Sequence, residues 1–292
     1  MKYTNKLNLP SSIAQAVMND PYTRGKANIS VTGLIGPARK RRLEMDHADE
    51  MVTDVADRVW SLYGQIVHGI LERADLADDA IVAERRLFIK RHGWTLSGQF
   101  DRLILAGQST LQDYKFTSVY AVMDGVKQEY EAQQNIYKLM LNEHGYHVDK
   151  MQIVAILRDW SKMRVTRQGG DYPEYPVVVM DVDDWGKEKT EAYITERLRA
   201  HGEAQTELPE CTPEERWADA PRWKIVKKGN TRAERGHANY DSAEAAEKAL
   251  AELGDKFSIV EVPSESKRCA NYCEASAFCD QWNSANPNKL GL

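Results

Sequence analysis

The chain has 292 residues, 42% of them hydrophobic and 28% charged, which is enough for one catalytic domain and a smaller appendage. A formal net charge of −5 excludes a uniformly basic coat for nucleic acid, although local basic patches and an acidic metal site stay compatible with phosphodiester chemistry. The longest apolar runs, 153–157 and 177–180, are far too short to span a bilayer, and the first residues lack the apolar core of a secretory signal. A cytoplasmic protein with no membrane partner is expected.

Residues 1–45 read as irregular, punctuated by Pro10, Pro21 and Pro37. The basic run Arg39, Lys40, Arg41 and Arg42 lies within them and is a candidate grip on a DNA backbone, although such runs are most often solvated faces. From 52 to 73 the apolar residues Val52, Val55, Val59, Tyr63, Ile66 and Ile70 recur at helical spacing. Gly64, His68 and Glu72 sit four apart on that helix and share a face distinct from the apolar stripe. Three strands are expected next, at 81–90, 95–105 and 110–117, joined by short links as an antiparallel meander. A helix at about 124–144 follows, then strands at 151–157 and 177–182 and a helix at about 184–204.

This order predicts an α/β fold, a mixed sheet flanked by helices. Beyond Cys211, strands at 223–228 and 257–262 enclose a helix at 241–253, making a small β-α-β unit. Asp241 and Glu244 have capping-box spacing, and Gly254 reads as the stop of that helix. The expected organisation is an N-terminal arm at 1–50 and a core at 51–205. A cysteine-bound subdomain at 206–216 and 263–292 is interrupted by the β-α-β insertion at 217–262.

Four polar groups recur in order through the core: Gly64-x3-His68-x3-Glu72, Gly98-Gln99-Phe100-Asp101, Asp113-Tyr114-Lys115 and Gln133-x3-Tyr137. A hairpin centred on Gln108 would set Asp101 opposite Lys115 and Leu103 opposite Asp113. Residues 101, 113 and 115 then share one sheet face. Two carboxylates and an ammonium so placed suit Mg²⁺ and a substrate phosphate. Lys115 would stabilise transition-state charge and orient water. His68 would add a nitrogen ligand and admit Mn²⁺ as well. Gln133 and Tyr137 lie on one helical face with Tyr130, positioned to hold Lys115 or a phosphate from behind. Taken alone, Asp113 and Lys115 would read as an edge-strand ion pair worth roughly 0–1 kcal/mol.

These four motifs, with the flanking text LYGQIVHGILE, LSGQFDRLIL, LQDYKFT and YEAQQNIYKLML, resemble the RecB-type branch of the PD-(D/E)XK nuclease superfamily. ISVTGLIGPARKRRL and VAILRDWSK resemble phage and prophage nucleases of that branch. The resemblance implies a restriction-endonuclease-like core and a divalent-metal-dependent deoxyribonuclease, an exonuclease of phage or prophage DNA recombination or processing in a bacterial or phage-infected cell. It makes Asp101, Asp113 and His68 metal ligands, Lys115 the catalytic lysine, and Gln133 and Tyr137 its support. Glu84 is a weaker candidate and is not counted as a ligand. DNA is the implied partner, with a single-strand annealing or recombination protein as a second. A CRISPR-adaptation-type nuclease and a non-catalytic DNA-binding scaffold are the alternatives.

Cys269, Cys273 and Cys279 cluster near the C-terminus, with Cys211 as the one further thiol. In a chain without an export signal such clustering points to metal before disulfides. Four thiolates suit a 4Fe–4S cluster or a tetrahedral Zn²⁺. Relatives with an iron–sulfur cluster supply one cysteine ahead of the core, where this chain has Gly36. Lys224, Lys227, Lys228, Arg232 and Arg235 in the insertion are a further candidate backbone-binding surface.

Overall fold

The computed structural model describes residues 2–20, 25–75, 79–168, 170 and 172–287. They fall into two units, Met1–Pro209 and Glu210–Leu292. The first runs β1 (Lys2–Thr4), α1 (Ser11–Met18), β2 (Ile29–Ser30), α2 (Val31–Ile35), α3 (Ala38–Asp46), β3 (Val52–Asp54) and α4 (Val59–Asp75). It continues with β4 (Ile81–Ala83), β5 (Arg86–Arg91), β6 (Trp94–Gln99), β7 (Arg102–Ile104), β8 (Thr110–Thr117) and α5 (Gln128–Glu143). It closes with β9 (Lys150–Leu157), α6 (Lys162–Gln168), β10 (Val177–Asp181) and α7 (Gly186–Glu203).

The main sheet has the order β10-β9-β8-β7-β4, with β8 and β9 parallel and the other pairs antiparallel. A second sheet has the order β2-β6-β5, and β1 pairs with β3. The fold is therefore mixed α/β, as expected. No helix among the described residues is long and apolar enough to cross a membrane.

Alternation along β9 buries Met151, Ile153, Ala155 and Leu157 on one face. Met151 and Ile153 share a core with Leu111 of β8, Ile136 and Met140 of α5, and Ile194 of α7. Each such fully buried side chain contributes about 1.5–3 kcal/mol. On the opposite face Arg102 donates to Gln112 at 2.9 Å, Gln112 to Gln152 at 2.9 Å, and Gln152 to Asp181 at 2.9 Å, a polar ladder across four strands.

The structure corrects several expectations. The arm at 1–45 is not irregular, because Ile29, Val31 and Leu34 are fully buried in the main core. Arg197 of α7 donates to the carbonyls of Leu34 and Gly36, at 3.1 and 2.6 Å, satisfying groups a helix end leaves open. The helix expected from residue 52 begins at Val59, behind β3 and a 3-10 turn that buries Val55. Its stripe is not core either, since Tyr63, Ile66 and Ile70 are exposed.

The expected meander divides between two sheets. Glu84 takes a left-handed φ of 48°, and the strand breaks there into β4 and β5. Its partner breaks beside it into β6 and β7, and Glu84 N–H donates to the Asp101 carbonyl at 2.9 Å across the break. The next hairpin pairs Leu103 with Leu111, so it is centred on Gly107 and not on Gln108. That two-residue slip preserves parity.

The second unit contains β11 (Arg222–Lys227), α8 (Ala243–Leu253), β12 (Phe257–Val262), α9 (Lys267–Asn271) and α10 (Asp280–Ala285). β11 and β12 pair antiparallel and pack with α8, the expected β-α-β unit. Ser242, not Asp241, caps α8 by accepting from Ala245 N–H at 3.1 Å, and Gly254 ends it at φ 80°. The insertion and the cysteine segments belong to one unit, which begins at Glu210.

Candidate active site

A cleft of about 750 Å³ opens in the first unit between α4, the start of α2, the bend between the two sheets, β8 and α5. His68, Glu84, Asp101, Asp113, Lys115, Gln133 and Tyr137 all line it. Every core residue singled out from the four motifs for catalysis or metal binding is thus brought together.

α4 directs His68 across the bend. Its Nδ1 lies 3.4 Å from Glu84 Oε1 and 3.5 Å from Asp101 Oδ1. One ligand atom from each of His68, Glu84 and Asp101 falls within 4.8 Å of the other two, the only such trio of metal-binding groups among the described residues. Glu84, discounted from the sequence, stands with the donors because the left-handed bend turns it into the cleft. Asp113 is outside this trio, paired instead with Lys115, whose Nζ lies 2.5 Å from Asp113 Oδ2. Asp113 is 1% exposed, and its Oδ1 has no hydrogen-bond partner among the described residues.

The positioning groups come from the same motifs. Arg86 donates to Gln99 Oε1 at 2.7 Å, and Gln99 Nε2 donates to Glu84 Oε2 at 2.7 Å, fixing the Glu84 carboxylate from behind. Tyr114 N–H donates to Asp101 Oδ2 at 2.7 Å. Lys115 donates to Gln133 Oε1 at 3.1 Å, and Gln133 Nε2 donates to Tyr137 OH at 3.2 Å. The Lys115 ammonium also lies 5.1 Å from the centre of the Tyr130 ring. Gln133 therefore touches Lys115 directly, and Tyr137 reaches it only through Gln133. The part played by Gln99 was not foreseen, although it stands inside a quoted motif.

Electrostatically the cleft is short of positive charge. Burial, and then the charge of Asp113, push the Asp101 carboxyl up to about 7. The hydrogen bond to Glu84 raises the His68 imidazole above its ordinary value, against the opposing effect of burial. Burial works against the Lys115 charge too, but Asp113 and Asp101 outweigh it and hold the ammonium above its usual range. Five carboxylates, those of Asp20, Glu72, Glu84, Asp101 and Asp113, line the cleft against Lys115, Arg86 and His68, and with a buried Asp113 oxygen lacking a donor they fit a divalent cation bound by hard oxygen ligands.

The basic run has a different fate. Arg39 is buried and donates to the carbonyls of Leu208 and Pro209, both at 3.1 Å, so the expectation that it contacts DNA is corrected. Lys40 pairs with Glu44, Arg42 pairs with Asp46 at 2.5 Å, and Arg41 donates to Asn28 O at 3.0 Å. All four serve contacts within their own unit.

In the second unit Cys211, Cys269 and Cys273 are half-buried and Cys279 is buried, and none is in a disulfide. Burial, then the charges of Glu215 and the other three cysteines, push the Cys211 thiol up to about 12. Gln281 clamps the Cys211 backbone, accepting from its N–H at 2.9 Å and donating to its carbonyl at 3.0 Å. Among the described residues only His68, Glu84 and Asp101 bring three such donor atoms within 4.8 Å of one another, so the four thiols do not stand as a closed metal site.

Neither a protein-family model nor a curated protein matches the chain. In structure it is similar to a protein solved as SSO0001, at a TM-score of 0.47 and 16% identity, covering 71% of this chain and 87% of that one. So slight a likeness says nothing about function.

Proposed function

We propose that the chain is a divalent-metal-dependent deoxyribonuclease of the PD-(D/E)XK type, acting on DNA ends. The observation that carries the reading is the His68–Glu84–Asp101 trio beside the Asp113–Lys115 pair, within one open cleft. His68, Glu84, Asp101 and Asp113 would hold Mg²⁺ or Mn²⁺. A cation bound there would polarise the scissile phosphoryl group and acidify a water.

The chain's own residues supply the rest. Lys115, held between Asp113 and Gln133, presents a fixed positive charge to the phosphate oxygens as negative charge builds on them. Gln133 spends its oxygen on Lys115 and its amide on Tyr137, so the ammonium is located before substrate arrives. Arg86 and Gln99 fix the rotamer of Glu84, and Tyr114 N–H fixes that of Asp101. The four thiols of the second unit would hold a 4Fe–4S cluster, or Zn²⁺ in its place, only on drawing closer together than they stand, and would then staple its two cysteine segments. Action in phage or prophage recombination, beside a single-strand annealing protein, is the context this activity suits.

The test is a time course on end-labelled linear DNA and on circular DNA with Mg²⁺, Mn²⁺ or EDTA. Wild type is compared with Asp113→Asn and Lys115→Ala. Metal-dependent loss of linear DNA alone, abolished by both substitutions, is the expected result. Absence of metal-dependent cleavage of either DNA by folded wild type overturns the reading.

A further inference from the structure

The segment 158–167, which leaves β9 and takes in most of α6, carries an exposed cationic face that the cleft does not use. Its inward groups are all engaged. Trp160 and Val165 pack against a cluster containing Val119, Leu157 and Tyr172. Trp160 Nε1 donates to Pro173 O at 2.9 Å, and Tyr172 OH accepts from Ser161 N–H at 2.9 Å. The acid of the segment, Asp159, accepts from Val119 N–H at 2.7 Å.

Arg158, Lys162, Arg164 and Arg167 are left exposed, and none forms an ion pair among the described residues. This is the reverse of Arg39, Lys40, Arg41 and Arg42, whose charges are satisfied inside the unit. Four exposed cations against the single acid Asp159 are what a polyanion requires.

Aromatic rings connect this face to the cleft. The Arg158 guanidinium lies 4.2 Å from the centre of the Trp60 ring. Trp60 meets Tyr63 edge-on at 5.6 Å, and Tyr63 meets Phe116 at 6.3 Å. Phe116 directly follows Lys115 in β8. Trp60 is 54% exposed and Tyr63 43%, although both are large apolar groups on the helix that carries His68. Exposed rings beside exposed arginines are the composition of a sequence-tolerant platform for unpaired bases, while stacked bases in a duplex hide the faces such rings would use.

We infer that this face binds a single-stranded segment of nucleic acid. Its phosphates lie on Arg158, Lys162, Arg164 and Arg167, and its bases on Trp60 and Tyr63. The inference rests on the nuclease reading only for the claim that the strand leads to Lys115, and it names single-stranded DNA as what the site receives.

The experiment is fluorescence anisotropy of a labelled oligothymidylate and of a labelled duplex, in EDTA, across a series of NaCl concentrations. Proteins compared are the full chain, Arg164→Gln/Arg167→Gln, and Trp60→Ala, each checked for an unchanged melting profile. Wild type is expected to bind the single strand with a steep salt dependence. Losing two phosphate contacts should lower the logarithmic salt slope by about 1.4. Trp60→Ala should weaken single-strand binding at least about fivefold and leave duplex binding nearly unchanged. Because Trp60 could also support α4, Arg158→Gln serves as a second probe and should lower the slope by about 0.7.

A flat salt dependence in wild type, or unchanged slopes in both arginine variants, overturns the inference even if metal-dependent cleavage is normal. Conversely, the expected binding losses without any metal-dependent cleavage by wild type would sink the nuclease reading and leave the binding surface standing.

Discussion

The ring of Tyr137 occupies the space that a side chain at Gly98 would need. A Cβ on Gly98 would approach Tyr137 Cε1 to 2.6 Å and Val31 Cγ2 to 2.9 Å. The glycine of the Gly98-Gln99-Phe100-Asp101 motif is thus explained by close approach and not by a special backbone angle. Tyr137 receives the Gln133 amide, and Gln133 receives Lys115, so the contact reaches the cleft. Gly98→Ala is expected to destabilise the fold by about 1–3 kcal/mol through overpacking. Thermal unfolding reads the loss of stability. At a temperature where the variant is fully folded, its cleavage rate should still fall, because Tyr137 must move.

Asp113 and Lys115 make a second test. Removing the ammonium leaves a carboxylate that is 1% exposed without its partner, which costs roughly 3–5 kcal/mol. Lys115→Ala should therefore be less stable in EDTA than Asp113→Asn/Lys115→Ala, which no longer buries an unpaired charge. Denaturant midpoints of the wild type, both single variants and the double variant close the cycle. A double variant whose loss equals the sum of the two single losses would show that the pair is not coupled.

Glu84→Gln probes the ligand that the sequence had discounted. The amide keeps the size of the side chain but loses its charge and competes differently for Gln99. Mn²⁺ affinity, measured by titration calorimetry, should fall at least about tenfold. Glu72→Gln is the comparison: it changes an acid that lines the same cleft outside the trio, and should weaken Mn²⁺ binding less.

The architecture was legible where period and spacing carry it. Alternation along residues 151–157 marked β9 with its buried face, and parity placed Asp101, Asp113 and Lys115 on one side despite a hairpin slipped by two residues. What escaped depends on the positions of distant segments. Nothing local to Glu84 announces a left-handed residue, and only the neighbouring break at Asp101 brings it to His68. Arg39 misled because its carbonyl partners at Leu208 and Pro209 lie about 170 residues away. The apolar stripe of α4 has true helical period, yet period reports one coherent face and not what covers it.

Arg91 offers a pH test away from the cleft. It makes two hydrogen bonds to Glu191 of α7, at 2.7 and 2.9 Å, and also pairs with Glu143 of α5. The hydrogen bond from Arg91 holds the Glu191 carboxyl below its ordinary value. A depressed acid contributes stability that is complete above its unfolded value, near 4.5, and is lost as pH falls through the lower folded value. Urea midpoints between pH 2 and 6 should decline more gently in Arg91→Gln than in wild type, with the two curves converging at the acid end.

The paired break at Glu84 and Asp101 has a consequence for how such a chain can diverge. Both strands change sheets at one point, and a main-chain hydrogen bond ties the two residues there. The spacing of these two carboxylates is thereby a property of the backbone, insulated from the hairpin tips at His92–Gly93 and Gly107. Those tips can lengthen, shorten or change composition without retuning the pair. Loop remodelling is then a route by which a lineage could alter which molecules reach the cleft while its chemistry stays fixed.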